Sequence, residues 1–333
     1  MSEINTAVVI SSTTNLTIKS IAKDFILWYS MNIQGRNSIN GIPSFFCLGR
    51  AWRKKTEDTM DNIPLMSMQP YFVLDSDDFC QHVLFENGIS HFFSFSNKNR
   101  EDKILPLMAD GCSNIIFEYR GGEVRTHFVG SLAARRSFSV KKDAEYFGIR
   151  LAPGSHFSIP EIASKDTVGK ILILDELDFA RNLCGLMERE KTFDSRVNVF
   201  LDEYSLLCGK NEKSEKQTQL FRQIVDIIVS RKGLVKVSEL ERLSGYTSRY
   251  INKIFENELG FSAKKMCGIV KFQFLLGDIS MGKVDSLTRI SSEYNFYDQS
   301  HFIHEFKGLA GMTPSQYART VEQRKYSENV RNV

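Results

Sequence analysis

The chain has 333 residues, 42% of them hydrophobic and 25% charged, with a formal net charge of +3. That balance is ordinary for a soluble protein of two or three domains. No apolar run approaches the roughly 18 residues of a membrane span, and the opening "MSEINTAVVISS" has no basic region followed by a long apolar core, so neither a membrane anchor nor a signal peptide is expected.

The six cysteines, Cys47, Cys80, Cys112, Cys184, Cys208 and Cys267, include no CxxC pair. This argues against a zinc ribbon or dithiol redox motif and fits a reducing cytoplasm. Charge is uneven: residues 217–333 hold 17 Lys+Arg against 12 Asp+Glu. A mildly basic C-terminal third suggests a polyanion partner.

Residues 1–65 have no assignable role; "TIKSIAKDFILWYSMNI" has helical spacing and "NSINGIPS" reads as a loop. Residues 66–175 read as a β-rich domain. "ISHFFSFS", "CSNIIFEY", "VRTHFVGS" and "EYFGIRLAP" are aromatic and β-branched strands, punctuated by "SNKN", "ADG", "YRGGE" and "KKDA". Their spacing predicts an antiparallel sandwich or barrel. Without strand–helix alternation a doubly wound parallel sheet is not expected. Residues 176–208 carry two amphipathic helices, a connector that either dimerises or covers the β-domain. Residues 209–219, within "CGKNEKSEKQTQ", read as a linker, 220–320 as a run of short helices, and 321–333 as a tail.

Two stretches of the helical region echo each other: "KVSELERLSGYTSRYINKIFENELGFSAKKM" and "KVDSLTRISSEYNFYDQSHFIHEFKGLAGMTPSQY". Each opens on a polar N-cap candidate, Ser238 or Asp285. A short helix, a tight turn and a longer helix follow, the last with apolar residues at matching places: Ile251, Ile254, Phe255 and Leu259, then Phe302, Phe306 and Leu309. Gly260 and Gly311 end the longer helices, as left-handed C-caps would. This is the helix-turn-helix pattern, twice. One continuous helix, Ser262 to Ile279, would join the units and set the reading helices about one DNA turn, roughly 34 Å, apart. The overall expectation is an α+β chain, a sandwich-like domain followed by an all-α domain with two such units.

"DQSHFIHEFKGLAGMTPSQYAR" resembles the signature of the AraC/XylS family of bacterial transcription regulators, which runs D/Q-S-H-F-x-x-x-F-K-x-x-x-G-x-T/S-P-x-x-Y-R. "SGYTSRYINKIFENELGFSAKKM" is similar to that family's first helix-turn-helix. "LPLMADGCSNIIFEY", "FVGS" and "YFGIRLAPGSHFSI" resemble a β-rich N-terminal domain of some members. The chain departs from the pattern at Asn295, where the family has Gly, at His304, where it often has Arg, and in a linking helix poorer in arginine.

The resemblance implies base contacts from Arg249, Asn252 and Lys253 in the first unit and from Gln299, Ser300 and His304 in the second. His301 either reaches the groove or packs at the helix start. Arg suits guanine O6/N7, and Asn or Gln suits adenine. Lys236, Ser248, Lys264, Lys265, Lys271 and Lys307 are phosphate candidates. The plain alternative for all of these is a solvated helix face.

His301 and His304, flanked by Asp298 and Glu305, also have metal-ligand spacing, but no third ligand stands near. His82, His91, His127 and His156 lack the HxH pair of a metal-dependent barrel enzyme and read as core or surface histidines. Arg135 and Arg136 read as loop residues, with an acidic-ligand site as the alternative. No catalytic motif, metal or cofactor is expected. The sequence thus predicts a cytoplasmic DNA-binding regulator and not an enzyme. The family's leaning makes it an activator that contacts RNA polymerase. Double-stranded DNA is the partner; a small-molecule effector and a homodimer are open. The alternatives are a barrel enzyme or repair protein with a DNA-binding domain, and a ligand-independent architectural DNA binder.

Overall fold

The computed structural model of the protein describes residues 65–155, 164–208, 215–282 and 287–333. The segment expected over 1–65, apart from Leu65, lies outside the described residues, as do His156, Asp285 and positions 209–214 of the expected linker. After helix α1 (Pro70–Leu74) come β1 (Asp77–Glu86), β2 (Ile89–Asn97), β3 (Lys103–Leu107), β4 (Asn114–Arg120), β5 (Glu123–Val129), β6 (Arg136–Val140), β7 (Ala144–Leu151) and β8 (Ile171–Ile173). A last strand, β9 (Arg331–Asn332), returns from the far end of the chain. The large sheet runs β8-β5-β4-β7-β2-β1-β9, and β3 pairs with β6 in a second sheet. Every pairing is antiparallel except β1 with β9.

Successive strand residues point to opposite faces, and here both faces are buried. Phe92, Ile115, Phe117, Phe147 and Ile149 point one way. Phe93, Phe95, Ile116 and Tyr146 point the other way, toward Leu105, Leu107 and Phe138 of the small sheet. Gly148 is required at its position, because a Cβ there would collide with the Phe93 ring. The first face is covered by α2 (Asp178–Arg189) and α3 (Phe193–Cys208) through Leu183, Met187, Val197 and Phe200. Of the two readings of that connector, covering the β-domain is therefore the one the packing supports. The apolar stripe that suggested dimerisation already has a partner.

The C-terminal region comprises α4 (Glu215–Ser230), α5 (Val237–Ser244), α6 (Ser248–Leu259), α7 (Ala263–Ser280), α8 (Leu287–Glu293), α9 (Gln299–Ala310), α10 (Pro314–Gln323) and α11 (Tyr326–Asn329). Helix α4 begins at Glu215, so residues 215–219 of the expected linker are helical; their polar residues occupy its first turns. Phe221, Ile224, Leu240, Ile251, Phe255 and Met266 build a core around the first unit. Phe272 and Leu275 of α7, with Phe302, Phe306 and Tyr317 of the second unit, belong to the same cluster as the inner face of the sheet.

Candidate nucleic-acid interface

Each reading helix is set by local chemistry. The side chain of Thr247 accepts the Tyr250 N–H at the start of α6, and Asp298 accepts the His301 N–H at 2.7 Å at the start of α9. Both helices end at a glycine in the left-handed region, Gly260 (φ 71°) and Gly311 (φ 78°), as the sequence predicts. Asn295, standing where the family has Gly, takes φ 52°, which Asn tolerates. The first short helix departs from expectation: its N-cap is Lys236, whose side chain does not cap, and Ser238 lies inside the helix.

From cap to cap the two helices have one register, 12 residues each. Counting from the N-cap, Ile251 matches Phe302, Phe255 matches Phe306 and Leu259 matches Ala310, and all six are buried. On the outer side Arg249 matches Ser300, Lys253 matches His304 and Glu256 matches Lys307, and all six are exposed. At 100° per residue these three positions fall within about 60° of one another. Gln299 is exposed as well, at the first helical position.

The remaining site candidates divide. Lys236, Lys264 and Lys265 are exposed, the last two in the first turn of α7. Asn252 is half-buried and its Oδ1 accepts the Ala263 N–H at 3.2 Å, so it ties α6 to the start of α7 and keeps only its amide N–H groups for other use. Ser248 is committed too: its N–H and hydroxyl engage Glu241 and hold that carboxyl below the usual range. Lys271 departs furthest from a phosphate contact. Its side chain is 16% exposed, with Nζ 3.1 Å from Glu305 Oε2 and 3.8 Å from the centre of the Phe296 ring. A carboxylate and an aromatic face already hold its charge, and it brackets α7 against the second unit. His301 makes local contacts, its Nε2 3.5 Å from Glu305 Oε1 and its ring edge-on to Phe296, while about half of its side chain stays exposed. Among the described residues no group of three or more His, Cys, Asp or Glu could hold a metal ion, and no helix is long and apolar enough to cross a membrane.

Sequence reasoning passed over two exposed aromatics. Tyr246 and Tyr297 each immediately precede the N-cap of a reading helix, with exposures of 46% and 93%. Their matching place was visible once the caps were aligned.

Residues 240–320 match the helix-turn-helix domain family. No curated protein matches the chain. Among solved structures the chain is similar to ToxT from Vibrio cholerae, at 10% identity and a TM-score of 0.38, over 73% of this chain and 99% of that one. It is also similar to unsaturated-fatty-acid-bound ToxT from strain SCE256 of that organism, at 12% identity and a TM-score of 0.36, over 73% of this chain and 94% of that one. Such values are too low to transfer a ligand or an arrangement of parts. Residues 240–320 are an AraC-type helix-turn-helix domain, and the chain that carries it is a DNA-binding transcription regulator.

Proposed function

We propose that α6 and α9 dock in successive major grooves of one duplex, and that the N-terminal part controls this docking. The observation that carries the reading is the common register of the two helices, with matched caps, matched buried positions and matched exposed positions. The length of α7 supports it: 18 residues span about 27 Å, of the order of the roughly 34 Å between successive grooves. Arg249, Lys253, Gln299, Ser300 and His304 read bases, Arg249 favouring guanine and Gln299 adenine. Lys236, Lys264, Lys265 and Lys307 hold phosphates. Asn252, Ser248 and Lys271 position these helices.

In this reading the protein is a cytoplasmic activator that contacts RNA polymerase and has no catalytic turnover. An effector would act through the seam between the sheet and the helices. A cavity of about 20 Å³ lies there, lined by Gln69, Phe72, Gln81, His91, Arg150 and Tyr326. It has room for about one water, so a larger effector must open it. The test is to recover bound sites from a random-sequence library with the full chain and footprint them. Two protected major-groove segments one helical turn apart are expected. Protection of a single segment would refute bipartite docking.

A further inference from the structure

Six large hydrophobic side chains stand exposed among the described residues, and two of them, Tyr246 and Tyr297, occupy the same position in the two helix-turn-helix units. Tyr297 has no hydrogen bond or ring contact among the described residues, and its 93% exposure leaves nearly the whole ring in water. Yet its backbone is held on both sides. Phe296, one residue before, is buried against Phe302 at 5.0 Å between ring centres, and Lys271 caps its ring face. Asp298, one residue after, is the bonded N-cap.

Tyr246 is presented in a similar way. Gly245 before it takes φ 76° as the C-cap of α5, and Thr247 after it is the N-cap of α6. Its ring stacks on Tyr250 at 5.3 Å, and the Tyr250 hydroxyl accepts from Gln217 Nε2 of α4 at 3.4 Å. Neither tyrosine is exposed because a loop is long or slack. Each projects from a turn only a few residues long, fixed at both ends.

We propose that Tyr246 and Tyr297 are a matched pair of DNA-backbone contacts, each hydroxyl donating to a phosphate oxygen at the rim of the groove its helix enters. The proposal rests on the reading of α6 and α9 as groove-docking helices. In such units the N-terminal end of the second helix meets the DNA, and the residue before the cap lies just outside the helix, where the strand passes. Tyr is among the side chains that serve phosphates; its ring covers sugar carbon while its hydroxyl donates. A neutral donor suits both places. Asp298 sets a carboxylate beside Tyr297, Glu293 nearby is already paired with Arg289 at 2.8 Å, and Glu241 faces the start of α6. The contact therefore works through a directed hydroxyl rather than through local net positive charge, and this gives it a distinctive readout. Salt dependence counts the charges that displace counterions, so removing a neutral donor lowers affinity at every salt concentration without altering the slope.

The experiment uses the full chain with Tyr246→Phe, Tyr297→Phe and the double variant. Lys264→Ala is the charged control. Two duplexes about three helical turns long serve as probes, one of random sequence and one recovered by the wild type from a random library. Each Phe variant should bind both duplexes roughly three- to tenfold more weakly. The salt slope should stay that of the wild type, and the double variant should multiply the two losses. Lys264→Ala should lower the slope. Phe removes only an exposed hydroxyl, so the thermal midpoint should not move. Wild-type affinity on both duplexes would overturn the contact; if transcription then fell, the rings would serve a protein partner instead. A loss confined to the recovered duplex would also overturn it, in favour of a base contact. A wild type that recovers no duplex from the library and does not bind the random one would sink the groove-docking reading itself, whereas a binding wild type with unaffected Phe variants sinks only the tyrosine contact.

Discussion

Arg249 and Lys264 are both exposed cations in the first unit, and the position of each dictates a different kind of loss. Arg249 shares a helix face with Lys253, so Arg249→Ala should cost about 1–3 kcal/mol on a recovered site and little on random DNA. Lys264 sits in the first turn of α7. Its loss should weaken both duplexes alike and flatten the salt slope. Equal weakening of both duplexes by Arg249→Ala would remove it from the base-reading set. The sequence could not separate such residues from Lys271, because only the fold brings Glu305 and the Phe296 ring to that one lysine. Asn252 was opaque for the same reason: its acceptor belongs to a backbone N–H in the next helix.

A second prediction at this scale concerns His91, which is 3% exposed with Nδ1 3.0 Å from Ser90 Oγ. Burial, and then the neighbouring Arg150 charge, push its pKa well below 6.5. Below about pH 6.5 the unfolded chain takes up a proton that the folded chain refuses. Stability on this account is flat above that pH and falls as pH drops below it, by up to about 1.4 kcal/mol per pH unit until the folded value is reached. Thermal unfolding at pH 7.5 and 5.5 should show a smaller fall for His91→Gln than for wild type. Equal falls would assign the acid sensitivity elsewhere.

Among the elements, those with local signals were the legible ones. The reading helices carry their own caps and terminal glycines, and β2, β4, β5 and β7 announce themselves through dense aromatic and β-branched runs. Strand β9 is two residues, Arg331–Asn332, and exists only because β1 lies beside it; no local pattern encodes that. Strand β1, "DDFCQHVLFE", alternates poorly because register shifts interrupt its pairing with β2 between Asp77 and Cys80 and between Val83 and Glu86.

Glycines show the same division between local and tertiary causes. Gly245 has φ 76° and nothing near where a Cβ would stand, whereas at Gly233 (φ 72°) a Cβ would run into the Cys267 carbonyl and the Lys271 backbone nitrogen of α7. Gly245→Ala should therefore cost only conformational strain, about 1 kcal/mol. Gly233→Ala adds a clash against helix backbone that cannot move aside and should cost more than about 2 kcal/mol. Urea unfolding of both variants checks this. Equal costs would mean that the approach of the α4–α5 turn to α7 is not tight.

At the scale of the whole molecule the two parts are joined, which the linear reading of separate domains did not anticipate. Sheet and second unit share one core. Two loops of the N-terminal part reach both reading helices at their C-caps: Arg135 lies against Gly311, and Lys165 and Val168 lie against Gly260. These loops are bonded to each other, Arg136 Nε donating to the Gly169 carbonyl at 2.9 Å and the Gly169 N–H to the Ser131 carbonyl at 3.0 Å. The chain's last strand closes the arrangement, with the Val333 N–H donating to the Gln81 carbonyl at 3.0 Å. At the centre of the seam is Gln273 of α7, 1% exposed. Its Oε1 accepts the Met68 N–H and its Nε2 donates to the Ala109 carbonyl, both at 2.7 Å. Replacing it with Leu keeps the bulk but strands a buried N–H and a buried carbonyl, each worth about 1–3 kcal/mol when left unpaired. Both stranded groups belong to the N-terminal part while the substituted residue belongs to the linking helix, so the loss falls on the joint between them. Gln273→Leu should lower the first thermal transition and separate it from a second one that retains the stability of the better-packed part. Calorimetry of wild type and variant is the measurement. A variant that still unfolds in one transition at the wild-type midpoint would show that the shared apolar core alone couples the two parts.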